Sequence, residues 1–127
     1  MMEIKTGYFA RAALYEKSGY TIVSISRWSP KWLKCLECKE LAPSVDLLNR
    51  YKNGQASAED YNIEFKKYLE GVDLKAIADS LSEKAKSEGK LGIVFCCYEK
   101  PSDFCHRHIV AAQYKEKLGI DVEEFPV

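Results

Sequence analysis

The chain lacks an excess of charge of either sign, since nineteen Lys and Arg offset nineteen Asp and Glu. Without a net field there is no global pull toward nucleic acid or an anionic membrane, and only a local basic patch remains to supply one. It lacks a basic start followed by an apolar run, and any stretch long enough to span a bilayer, so a cytosolic location without a membrane partner is expected. Neither a Walker nor a dinucleotide-type glycine loop is present, and no Gly-x-Ser-x-Gly elbow, which excludes those nucleotide-binding and hydrolase machines. A cysteine-phosphatase loop needs five residues between Cys and Arg; Cys97 lies too far from Arg107 for that, and Cys105 too close.

Histidine is scarce, and its distribution is informative. Both histidines and three of the five cysteines fall between Phe95 and His108. In a reducing cytosol, five cysteines read as free thiols or metal ligands rather than as a disulfide framework, and the odd count agrees. The 127 residues, 46% of them apolar, suit one domain over 1–127 with a real core.

Ile4–Phe9 reads as a first strand and Arg11–Lys17 as a brief helix or turn. Tyr20–Ser26 is β-branched and alternating, a second strand ended by Pro30. Three helices are expected next, capped by Ser44, Ser57 and Asp73, with core stripes such as Tyr61, Phe65, Leu69 and Leu74, Ala78, Ala85. The unbroken apolar run Leu91–Cys97 is how a strand covered on both faces reads, and adjacent Cys96 and Cys97 should point to opposite faces, both in the core. A helix is expected from about Asp103 to Leu118, then an edge strand within Ile120–Phe125. Strands alternating with helices give an α/β fold, a three-layer domain with a mostly parallel sheet flanked by helices.

Ligands gather beyond the carboxyl ends of strands in such sheets, and two charged loops fall there: Ser26-Arg27-Trp28 and Tyr98-Glu99-Lys100. The second feeds a helix that Ser102 or Asp103 would cap. Its first turn carries His106, Arg107 and His108, bases at a partially positive end, so something negative should offset them. A bound phosphate or carboxylate is one answer and Glu99 the other. Arg107 shares a helical stripe with Val110, Ala111 and Tyr114 and so should face the sheet; an Arg107–Glu99 pair is the structural alternative to a ligand. Cys105 in the first turn is a candidate nucleophile or a small buried residue. His106 is either an acid–base group or a histidine satisfied by a loop carbonyl. Cys35-Leu36-Glu37-Cys38 has the spacing of half a zinc site, to be completed by Cys105, His106 or His108, or is simply two loop cysteines. Trp28 and Trp32, with Arg27, Lys31 and Lys34, offer stacking for a base, or else cover the sheet edge.

Tyr98-Glu99-Lys100-Pro101 followed by Phe104-Cys105-His106-Arg107-His108 resembles the signature of the DUF488 family. The likeness extends to Thr6–Ala10, Ser24–Pro30, Leu41–Ser44 and Tyr61–Phe65. The resemblance implies a compact α/β fold with the two charged loops side by side, and a shared site of Arg27, Glu99, Cys105, His106 and Arg107. It implies no settled activity. Gly7 stands where the family pattern has serine, and Cys35 and Cys38 lie outside that pattern.

The expectation is an anion or nucleotide-like ligand site, in which Arg27 and Arg107 hold the anion with Tyr98, Ser102 and Trp28 beside it. Glu99 orients an arginine or acts as base, and Cys105 and His106 carry any chemistry. No cofactor and no resident metal are assigned. The alternatives are a binding or regulatory module for a protein or nucleic acid, and a zinc-stabilised domain using Cys35 and Cys38. Monomer and dimer stay equally open.

Overall fold

A computed structural model describes residues 2–99 and 104–126. Its strands are β1 (Glu3–Tyr8), β2 (Tyr20–Ser24), β3 (Leu36–Glu37), β4 (Gly92–Cys97) and β5 (Glu123–Glu124). Its α-helices are α1 (Ala12–Lys17), α2 (Val45–Lys52), α3 (Ala58–Glu70), α4 (Leu74–Ser87) and α5 (His106–Leu118). The sheet runs β3-β2-β4-β1-β5 with every pairing parallel, which is the expected α/β class. Among the described residues no helix is long and apolar enough to cross a membrane.

Local chemistry explains most of the helices. Ser44 Oγ accepts from the Leu47 amide, Asp73 from Ala76, and Ser57 forms a reciprocal capping box with Asp60. β4 lies between β2 and β1 with all six residues buried, as its apolar run requires. Its alternate side chains feed two cores. Ile93 and Phe95 pack with α2–α5, while Val94 and Cys96 pack with Tyr15 and Phe9 on the α1 side.

Gly7, where the resemblance led to the expectation of serine, has a steric explanation. A Cβ there would lie 2.6 Å from the Tyr15 ring, whose hydroxyl accepts from the Tyr8 amide at 3.1 Å.

Several boundaries differ from those expected. β2 ends at Ser24 rather than Ser26, because the chain turns away to build the site loop. The last helix starts at His106, since Cys105 is its extended N-cap at φ −150° and ψ 142° and makes no side-chain cap bond. Ser102 and Asp103, the caps expected from sequence, lie outside the described residues. β3 was not foreseen; it is two residues long and is followed by a backbone bond from the Cys38 amide to the Ser24 carbonyl.

Chain direction then places the site. The chain leaves β2 toward the β3 edge, and leaves β4 through α5 toward the opposite, β5 edge. Two adjacent parallel strands whose exits diverge leave a crevice at their carboxyl ends, where sheets of this type bind ligands.

Candidate functional site

That crevice is a pocket of about 460 Å³, lined by residues that follow β2 and β4 and by α2 and α3. Its size falls within the roughly 300–1,000 Å³ usual for small-molecule sites. Trp28, Tyr51, Tyr61, Tyr98 and Phe104 bring aromatic surface to it. Phe104 stands edge-on to Tyr61, with ring centroids 5.0 Å apart, and 5.3 Å from Tyr51.

Arg27, Lys52 and Glu99 supply charge to the wall. Arg27 donates from Nε to the Pro43 carbonyl at 3.1 Å and from Nη2 to the Ala42 carbonyl at 3.4 Å. Carbonyls orient a guanidinium without neutralising it, and among the described residues Arg27 has no ion-pair partner. The wall thus presents a half-buried, uncompensated cation.

Cys105 and His106 complete the lining. His106 Nε2 lies 2.6 Å from the Ile25 carbonyl oxygen, which can only accept, so Nε2 carries the proton and Nδ1 keeps its lone pair. Nδ1 faces Cys105 Sγ at 3.9 Å. Burial drives the His106 pKa down to about 4; the Ile25 bond opposes the shift and the Arg107 charge reinforces it. The imidazole is therefore neutral at physiological pH. The histidine satisfied by a loop carbonyl, one of the two readings from sequence, is what this bond shows.

Cys97 and Cys105 are joined as a disulfide, with Cα atoms 7.5 Å apart. Cys97 is in the core, as expected, and the pairing corrects the expectation of unpaired thiols. The last residue of β4 and the N-cap of α5 converge at the strand end, and sequence distance hid this. Cys96, one residue earlier, is a free and buried thiol on the other face, where burial raises its pKa.

Arg107 lies beneath the pocket and does not line it. It is fully buried and its donors are engaged. Nε and Nη2 donate to the two carboxylate oxygens of Glu124, each at 3.1 Å, a bidentate pair. Nη1 donates to the Glu99 backbone carbonyl at 2.7 Å and to Cys97 Sγ at 2.9 Å. The expected Arg107–Glu99 carboxylate pair is absent: Glu99 offers Arg107 its backbone oxygen, and its own side chain is exposed at the pocket. Glu124, which also accepts from the Thr6 hydroxyl at 2.6 Å, is the residue missed from sequence. A buried arginine has to be paired, so its place on a core-facing stripe was the one signal pointing to some acid downstream.

Two further readings are corrected. Cys35 packs with the α1-side core and Cys38 with the opposite core, so the sheet edge separates them and they cannot share one ion. Burial raises both thiol pKa values, that of Cys38 to about 11. Trp28 and Trp32 do not cover the sheet edge either; they are 59% and 69% exposed.

The structure thus brings Arg27, Trp28, Tyr98, Glu99, Cys105 and His106 to one pocket, sets Arg107 behind it, and leaves Ser102 outside the described residues. Of the two charged loops, the described residues Arg27 and Trp28 on one and Tyr98 and Glu99 on the other line the same pocket.

No curated protein and no solved structure matches the chain. A family model described as the active DUF488-N3 subclade, DUF488-N3a, matches residues 11–118, a span that holds both pocket loops and α5 but stops short of Glu124. The chain belongs to the DUF488 family.

Proposed function

We propose that the pocket between β2 and β4 binds a small anionic ligand with a planar ring, of the nucleotide class, and that Cys105 and His106 form its reactive edge. The observation that carries this reading is Arg27, held by backbone carbonyls in a wall that also presents the rings of Trp28, Tyr51, Tyr61, Tyr98 and Phe104. An aromatic-lined site favours a planar group, and a guanidinium anchored by carbonyls favours phosphate or carboxylate beside it. Trp28 and Tyr98 supply ring faces, Lys52 adds a second cation, and Glu99 is placed to accept a proton or orient a ligand hydroxyl. His106 meets the ligand as a neutral imidazole. Arg107 acts as a positioning residue, holding the Glu99 backbone and Cys97 from below. The matching family model is described as an active subclade, which favours an enzyme over a purely structural module.

The test is a thermal-shift screen of phosphate, sulfate, nucleotides and sugar phosphates against wild type and Arg27→Ala. Ligand at 100 times its dissociation constant adds about 2.7 kcal/mol of stability. A shift with nucleotides that is lost in Arg27→Ala supports the reading. No shift with any anion overturns it.

The exposure of Trp28 and Trp32 beside Arg27, Lys31 and Lys34 favours a second reading, a platform for single-stranded nucleic acid. Binding of an oligonucleotide that is lost with Trp32→Ala, a residue outside the pocket lining, would select it.

A further inference from the structure

Cys97 Sγ, Cys105 Sγ and His106 Nδ1 or Nε2 lie within 4.8 Å of one another, in a cluster whose three residues are all buried. We propose that, once the cysteine pair is reduced, this cluster is a zinc site with three protein ligands and a fourth position open to the pocket. The inference rests on the reading of the pocket as a ligand site and names the group that would carry its chemistry.

Three observations converge. Zinc bonds of about 2.3 Å to sulfur and about 2.0 Å to nitrogen set tetrahedral ligand atoms roughly 3.3–3.8 Å apart. His106 Nδ1 already stands 3.9 Å from Cys105 Sγ. His106 is also prepared as a metal ligand: the Nε2 proton goes to the Ile25 carbonyl at 2.6 Å, which fixes the ring and turns the Nδ1 lone pair toward the sulfurs. An outer-sphere donor is present as well, because Arg107 Nη1–H points at Cys97 Sγ from 2.9 Å and would stabilise it as a thiolate.

Charge balances too. Two thiolates and a neutral imidazole around Zn²⁺ sum to zero, and the Arg107–Glu124 pair below is itself neutral. Cys105 and His106 line the pocket, so the remaining coordination position faces the ligand, the arrangement that distinguishes catalytic from closed structural zinc. Formation from the paired state consumes a thiol reductant. Two R–SH molecules supply two electrons and two protons to the Cys97–Cys105 bond and leave as R–S–S–R. Zn²⁺ then displaces the two cysteine protons.

The test uses the full chain, purified without a histidine tag under a thiol reductant, dialysed, and assayed for metal by mass spectrometry. A parallel sample is loaded with Co²⁺ and its absorption spectrum recorded. The expected result is one zinc per chain and a cobalt–thiolate charge-transfer band. Cys105→Ser should lose the zinc and weaken the band, while Cys38→Ser keeps both. Substoichiometric metal in the reduced chain overturns the proposal, as does metal that survives Cys105→Ser or is lost with Cys38→Ser. The cobalt spectrum of wild type needs no variant to fold. Thermal shifts with nucleotides, run on the same samples, separate this inference from the reading it rests on. Shifts in a metal-free chain leave the pocket and remove the zinc; stoichiometric zinc without any shift does the reverse.

Discussion

Two arginines serve the same crevice under opposite electrostatic conditions. Arg107 is fully buried and engages a carboxylate, a backbone carbonyl and a cysteine sulfur. Arg27 is half-buried in the pocket wall and, among the described residues, engages the carbonyls of Ala42 and Pro43 and no carboxylate. Burial forces the first to carry its counter-charge with it, since an unpaired interior guanidinium is prohibitive. Partial exposure lets the second keep an unneutralised charge. A cation that is already satisfied organises a site, and one that is not can recognise a ligand.

The largest effect should come from removing the counter-charge beneath the pocket. Glu124→Ala strands the buried guanidinium and should cost about 3–5 kcal/mol in urea unfolding. Arg107→Leu should cost less, because it leaves a carboxylate whose side chain is 24% exposed. A Glu124→Ala protein as stable as wild type would break the comparison, by showing that Arg107 does not depend on its partner.

The second expectation concerns pH. The His106 pKa is about 4 in the fold, held down chiefly by burial, against about 6.5 when unfolded. A depressed histidine favours the fold while neutral, so its contribution is present above pH 6.5 and is lost as pH falls toward 4. The full loss is about 3 kcal/mol, and His106→Gln should flatten the stability profile in that window. A profile unchanged by the substitution would show that His106 is not held neutral by its burial.

Next comes the packing under Arg107, whose guanidinium lies 5.9 Å from the Tyr8 ring centre. Gly7→Ser would set a Cβ against Tyr15, whose hydroxyl holds the Tyr8 amide. A cost of about 1–3 kcal/mol in thermal unfolding is expected.

The smallest effect on stability belongs to Arg27→Ala, about 1 kcal/mol for its two bonds to the Ala42 and Pro43 carbonyls. It should nevertheless abolish any nucleotide-induced thermal shift. The contrast with Glu124→Ala, costly to fold, is the sharpest form of the comparison.

How much of this was legible in the sequence follows the range of each interaction. The caps at Ser44, Ser57 and Asp73 and the buried run of β4 were readable because a few neighbouring residues determine them. The loops carrying Arg27 and Tyr98-Glu99 were readable too, since strand ends in an α/β sheet have a known use. What stayed hidden was set by tertiary proximity. Glu124 lies 17 residues from Arg107, on a two-residue strand of glutamates that no β-propensity marks. Cys97 and Cys105 meet only because β4 ends where α5 begins. Cys35 and Cys38 looked like a pair by spacing, yet a short edge strand sends them to opposite cores. Trp28 and Trp32 were expected to cover apolar surface, and their exposure reflects a loop that leaves the sheet after Ser24.

The bidentate bond between Arg107 and Glu124 also orders events in time. A chain emerging from the ribosome completes α5 before it makes β5. Until Glu124 arrives, the guanidinium that will lie beneath the pocket has no carboxylate to meet it there, and docking α5 on the sheet would bury a bare charge. The pocket floor therefore has to wait for the far edge of the sheet, and a chain that ended between α5 and β5 would lack the carboxylate that meets Arg107.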